Sequence, residues 1–195
     1  MQKIIIVNIC ILLISCTYLP DTKGKENEIV VITSPEDRVL VEQQVLGLFV
    51  RTINTPEPEP EFSLVFKNPW ELENVSKYGN LFIVSLDFPQ DSTGDLLMQR
   101  IISQHKQKKP LFVLGELYAK KQIVCVLHTL DALSMEIEID LNKEWILTEF
   151  RNNLSERLEL NIYKHGKNIL LSEKVLDMFG YTIDLQQDYK IIKSD

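Results

Sequence analysis

Glu28-Ile29-Val30-Val31-Ile32-Thr33-Ser34-Pro35-Glu36-Asp37 reads as a strand that runs straight into a helix. The β-branched run suits a pleated, buried strand. Ser34 offers a hydroxyl to cap the orphan amides of a first turn, and Pro35 has the fixed φ that a first helical position tolerates. Glu36 and Asp37 put negative charge where the helix dipole is positive. Beyond them, Val41, Val45, Leu48, Phe49 and Ile53 recur at helical spacing, so one face of that helix packs on the strand before it.

Downstream, the same punctuation repeats. Thr55-Pro56-Glu57-Pro58-Glu59-Pro60 interrupts every period and predicts a stiff polyproline-type connector, after which Phe62 to Phe66 is strand-like. Asn68-Pro69-Trp70-Glu71 opens a short helix, Gly79-Asn80 closes it, and Leu81 to Leu86 has the length of a buried strand. Ser92 with Asp95 resembles a capping box for a helix carrying Leu97, Ile101 and Ile102, which Pro110 stops. Leu111 to Tyr118 and Gln122 to His128 are β-rich and separated by only Ala119-Lys120-Lys121, which predicts an antiparallel hairpin. From Thr129 to Phe179 the chain reads as helical, with Gly180 as the stop. Met135 to Asp140 also alternates with period two, but Leu130, Leu133, Ile137 and Leu141 fit one helix face and favour the helix. The fold class is therefore α+β, a mixed sheet of about five strands in the order βαβαβαββ packed with helices, followed by a helical C-terminal segment.

Upstream, Met1-Gln2-Lys3 gives one basic side chain, and Ile4 to Ile14 is apolar except for Asn8. That is a signal-peptide layout, too short for a spanning helix of about 20 residues. It ends Leu13-Ile14-Ser15-Cys16, which resembles the bacterial lipobox, a branched apolar residue three before a cysteine and a small one just before it. A thiol can form a thioether with a diacylglyceryl donor, and two or three acyl chains, at about 0.8 kcal/mol per buried methylene, anchor stably. An ordinary secretory peptide with a nearby cysteine is the blander alternative. Residues 1–15 thus read as a lipoprotein signal peptide, Cys16 as the lipidation site, and residues 16–27, polar and without apolar period, as a flexible tether. Residues 28–180 form the α+β domain and 181–195 the start of a possible second portion.

Charge narrows the partners. The chain carries −7, and losing Lys3 with residues 1–15 leaves −8. Such a balance disfavours nucleic acid, which needs basic surface, and disfavours electrostatic adhesion to anionic lipid. The expected partners are a membrane, through the lipid on Cys16, and an envelope protein or ligand of unknown kind.

Candidate sites are thin. His105, His128 and His165 are far apart and none has a second ligand at zinc spacing. Asp87, Asp91 and Asp95 lack the alternating oxygens of a calcium loop and read as a solvated turn with a helix cap. Lys106, Lys108 and Lys109 could receive an anion but suit a helix C-terminus. Trp70 and Trp145 read as core or staple residues rather than a stacking platform. Cys125, in an apolar run, reads as a buried inert thiol. Phosphate loops, a Gly-x-Ser-x-Gly elbow and His-Glu-x-x-His are absent from the sequence. No catalytic, cofactor-binding or metal residue is assigned, and no cofactor.

With the lipobox, the Glu28-to-Thr33 strand entering its Ser-Pro-Glu-Asp helix, the Pro-Glu-Pro-Glu-Phe connector, the Asn80-to-Asp87 strand and the Leu171-to-Tyr189 tail in view, the chain resembles domain-of-unknown-function family 4837, lipoproteins of Bacteroidetes-type bacteria. The resemblance covers residues 1 to 195 in order. It implies an address and a body plan, since that family has no established activity, and it implies a second α/β portion beyond the segment around Gly180 and Tyr189. The expected function is a lipid-anchored envelope module, periplasmic or outward-facing, that binds or supports without catalysis. The alternatives are an envelope hydrolase built from the loops around Asp87 and the 119–122 turn, or part of a solute-binding lipoprotein.

Overall fold

The computed structural model describes residues 18–53 and 56–192. Cys16, the leader at 1–15 and the proposed lipidation therefore lie outside the described residues, as does Thr55 of the connector. In chain order the elements are β1 (Glu28–Ile32), α1 (Pro35–Phe49), β2 (Thr52–Ile53), β3 (Glu59–Pro60), β4 (Ser63–Lys67), a 3-10 turn at Pro69–Glu71 leading into α2 (Leu72–Val75), β5 (Asn80–Leu86), α3 (Ser92–His105), β6 (Leu111–Gly115), β7 (Ile123–Thr129), α4 (Ala132–Ile162) and α5 (Ile169–Phe179). The fold is α+β as the sequence predicts. Its mixed sheet has the order β4-β1-β5-β7-β6, parallel except for the β6–β7 hairpin, and β2 and β3 form a separate two-stranded ribbon.

Alternation along the strands divides the core in two. Ile29, Val31, Phe82, Val84, Cys125 and Leu127 face α1 and α4, where they meet Val41, Val45 and Phe49 and, from α4, Met135, Ile139, Leu147 and Phe150. Val30, Ile32, Leu81, Ile83, Val124 and Val126 face α2 and α3 and pack on Leu72, Val75, Met98 and Ile101. Strands covered on both faces have no polar side to show, which is why they read as unbroken apolar runs. Phe49 is edge-on to Phe62, Phe82 and Phe150, at centroid distances of 5.9, 5.7 and 5.1 Å. These contacts lock α1, the approach to β4, β5 and α4 together.

Capping follows the sequence at Ser34, whose hydroxyl accepts from Asp37 N at 3.1 Å, and at Gly180, left-handed at the end of α5 with φ 75°. It departs at α3, where Asp91 rather than Ser92 is the cap and accepts from Gly94 N. The long helical stretch is two helices, α4 and α5, separated by a turn holding Gly166 at φ 95°. After Gly180 the chain folds back, and Asn168 N donates to Leu185 O at 2.8 Å and Gln187 N to Gly166 O at 3.1 Å.

Residues 18–27 are not a free tether. Lys120 N donates to Pro20 O at 2.8 Å, Lys23 N donates to Lys77 O at 2.8 Å, and Lys23 bridges Tyr78 in parallel. The ammonium of Lys120 lies 3.7 Å from the centroid of the Tyr18 ring. Arg157, buried on α4, donates to both the side chain and the carbonyl of Glu26 and to Asn80 Oδ1. A polar composition favoured a loose segment, but main-chain pairing and one buried guanidinium hold it along the sheet edge where β5 and β7 begin.

Candidate functional site

The connection from β1 through α1 leads to β4 on one side of β1, and the next, through α2, crosses back to β5 on the other. The loops after β1 and β5 therefore diverge and leave a crevice at their carboxyl ends, the place where open α/β sheets bind ligands. Two segments line it, residues 33–37 and 85–94. The last registered pair of these strands is Ile32 with Ile83, so Thr33 and Ser34 come level with the end of β5, one strand spacing of about 4.8 Å away.

Four polar side chains on these two segments have almost no solvent exposure: Thr33 at 1 %, Asp37 at 0 %, Ser85 at 2 % and Asp91 at 6 %. Asp37 Oδ2 accepts from Leu86 N at 2.9 Å, across from helix to strand. Asp91 Oδ1 accepts from Gly94 N and, at 3.1 Å, from the Thr93 hydroxyl. The other oxygen of each carboxylate, Asp37 Oδ1 and Asp91 Oδ2, has no hydrogen-bond partner, and neither do Thr33 Oγ1 and Ser85 Oγ. Among the described residues these are the buried side-chain atoms left unpartnered. A Cβ placed on Gly94 would stand 2.8 Å from Asp91 Oδ2 and 2.9 Å from Ser85 Oγ, so glycine at this first turn is what leaves room for the two oxygens. Burial pushes the Asp37 carboxyl up to about 6, against the pull of the Leu86 amide and with a further push from the Asp91 charge.

Beside the crevice is a groove of about 460 Å³ whose lining includes Asp87, Asp95, Met98 and His128. His128 sits with Nε2 3.4 Å from Asp87 Oδ1 and Nδ1 3.3 Å from Ser85 O. Both ring nitrogens thus face acceptors, and no hydroxyl nucleophile is among the hydrogen-bond partners of His128 on the described residues.

Compared with models of protein families, with curated proteins and with solved structures, the chain gave no match.

The structure separates some predicted residues and joins others. Asp87 and the 119–122 turn, the two parts of the hydrolase alternative, lie at opposite ends of parallel strands β5 and β7, roughly 20 Å apart at about 3.3 Å per residue. They cannot share one site. Asp91, read with its neighbours as a solvated turn and a helix cap, is a cap but a buried one, and Asp37, read as part of an acidic first turn, is more buried still. Trp70 and Trp145 are not core residues, being 59 % and 41 % exposed. Trp145 joins Lys109, Glu138 and Asn142 along a shallow groove, and Lys106 is the left-handed residue after α3, with φ 51°. Cys125 is a free, fully buried cysteine, and burial pushes its thiol far above the ordinary range, which makes it a poor nucleophile. His105, His128 and His165 stand on α3, β7 and the α4–α5 turn. Among the described residues no three or more His, Cys, Asp or Glu side chains come together as a metal-binding group. Ser85 and Thr33 carried no sequence signal, because a hydroxyl in an apolar run declares nothing until the neighbouring strand is known.

Proposed function

We propose that this chain is a lipid-anchored protein of the bacterial envelope, similar to domain-of-unknown-function family 4837, whose α+β domain is a non-catalytic binding module with its ligand seated at the carboxyl ends of β1 and β5. The observation that carries the binding role is the presence of Thr33, Asp37, Ser85 and Asp91, each with an unpartnered buried oxygen, at the topological switch of the sheet. An unsatisfied buried polar atom costs about 1–3 kcal/mol, and an arrangement that places four of them on the segments lining one crevice is supported by a partner that satisfies them. The envelope address rests on Leu13-Ile14-Ser15-Cys16. No described helix is long and apolar enough to cross a membrane, and attachment is assigned to acyl chains on Cys16.

Two measurements test the two halves. Intact mass and detergent partitioning of the mature protein, beside a Cys16→Ser variant, should show a diacylglyceryl adduct and detergent-phase recovery for the wild type alone. If neither form carries lipid, the address is wrong. Amide exchange on protein freshly extracted from envelopes, compared with extensively dialysed protein, should show extra protection at residues 33–37 and 85–94. Protection confined to another part of the molecule would remove the crevice as the binding site.

A further inference from the structure

We infer that the crevice is a site for one divalent cation of the Mg²⁺ type, held by Asp37 Oδ1 and Asp91 Oδ2 with the hydroxyl of Ser85. This deepens the binding-module reading and rests on it. Every donor is a hard oxygen and none is nitrogen or sulfur, which selects Mg²⁺, Mn²⁺ or Ca²⁺ over zinc or copper. Only two of the three are charged, and Mg²⁺ commonly binds through one or two carboxylates while keeping several of its waters.

The second oxygen of each carboxylate is already engaged in a way that fixes the free one. Asp37 Oδ2 is held by Leu86 N and Asp91 Oδ1 by Gly94 N, so each carboxylate is oriented by a backbone amide, as liganding carboxylates usually are by their outer neighbours. The Ser85 hydroxyl is the independent sign of a ligand. Ser85 is 2 % exposed and its oxygen has no partner, although a hydroxyl that served only packing could be replaced by alanine at no polar cost. Ser85 Oγ and Asp91 Oδ2 both lie within 2.9 Å of the point that a Gly94 Cβ would occupy, so both border the same small space. Asp37 and Asp91 carry like charges, and a dication reverses the sign of their interaction for both.

The experiment uses the mature protein in detergent, stripped with a chelator and titrated with Mn²⁺ followed by paramagnetic resonance, then with Mg²⁺ as competitor. The expected result is one saturable site in the weak range, ~10⁻⁴–10⁻³ M, displaced by Mg²⁺. Asp91→Asn retains a good helix cap and Asp37→Asn retains an acceptor for Leu86 N, so both should fold, as circular dichroism would verify. Each should weaken Mn²⁺ by about tenfold or more, Ser85→Ala by less, and the exposed Asp177→Asn not at all. Absence of saturable binding in the wild type overturns the cation assignment. So does binding that survives both Asn variants unchanged. Neither result touches the lipid mass on Cys16 or the exchange protection at residues 33–37, so failure here is distinguishable from failure of the module reading.

Discussion

Asp37 stands in the acidic first turn of α1, where sequence logic expects a solvated carboxylate, and the fold closes it off from water beneath Leu86 N. Its carboxyl is pushed up to about 6, chiefly by burial. A proton therefore binds the folded chain more tightly than the unfolded one. Stability from this group is complete below the ordinary carboxylate range and is lost as pH rises through about 6, amounting to roughly 3 kcal/mol by neutrality. In chelator-treated protein, Asp37→Asn should abolish that loss, so denaturant midpoints of variant and wild type should diverge between about pH 4 and pH 8, the variant being the more stable at the alkaline end. Parallel curves would contradict the burial argument. Ser34, Gly180 and Cys125 were legible because their roles depend on neighbours in sequence. Asp37 was not, because the amide that holds it lies 49 positions away.

Among the elements, α4 shows how periodicity identifies a helix without identifying its inner face. Leu133, Ile137 and Leu141 share a stripe that argued for helix over strand, yet they are exposed, Leu141 at 76 %, while Met135, Ile139, Ile146, Leu147 and Phe150 face the sheet. Both stripes are apolar, and only the sheet, built from residues far upstream, decides between them. Phe150→Ala should cost about 3–5 kcal/mol, whereas Leu141→Ser should stay within about 0.5 kcal/mol in the monomer. Equal costs in urea melts would mean that the faces are misassigned. Arg151 of α4 grips Glu61 with both nitrogens of its fork, Nη2 to Oε2 at 2.7 Å. The hydrogen bond from Arg151 lowers the Glu61 carboxyl, so the pair stabilises above the usual carboxylate range and its contribution is lost as pH falls through that lowered value. Arg151→Met should cost about 1 kcal/mol at neutral pH, since the pair is partly exposed, and less in acid. A variant cost that grows in acid would exclude the pair as its source.

For the molecule as a whole, the βαβαβαββ succession was readable because Gly, Pro and capping residues mark each boundary. What escaped was everything carried by contacts between distant segments, above all the docking of residues 18–27 through Pro20, Lys23 and Glu26. With residues 1–15 removed as proposed, the side chains would sum to −8, taking Lys3 from the −7 of the full chain, and anionic headgroups would offer little attraction. Membrane-bound protein should therefore resist washing with about 1 M salt, where the screening length is about 3 Å, and should move to the aqueous phase only when Cys16 is replaced by Ser. Release of the wild type by salt would mean that charge, not lipid, does the holding.

With lipid on Cys16, as proposed, the docked segment would also fix which way the domain looks. Tyr18 is seated against Lys120, at the end of the sheet where β7 begins, and two residues of chain reach no farther than about 7 Å. A lipid on Cys16 would then hold the amino-terminal rim of the sheet close above the headgroups, with no slack for the domain to roll over. The opposite rim, a strand's length of roughly 20 Å higher, would point straight away from its own bilayer. Whatever enters there would arrive from the aqueous space or from a facing layer, and such an anchor would be a pedestal rather than a leash.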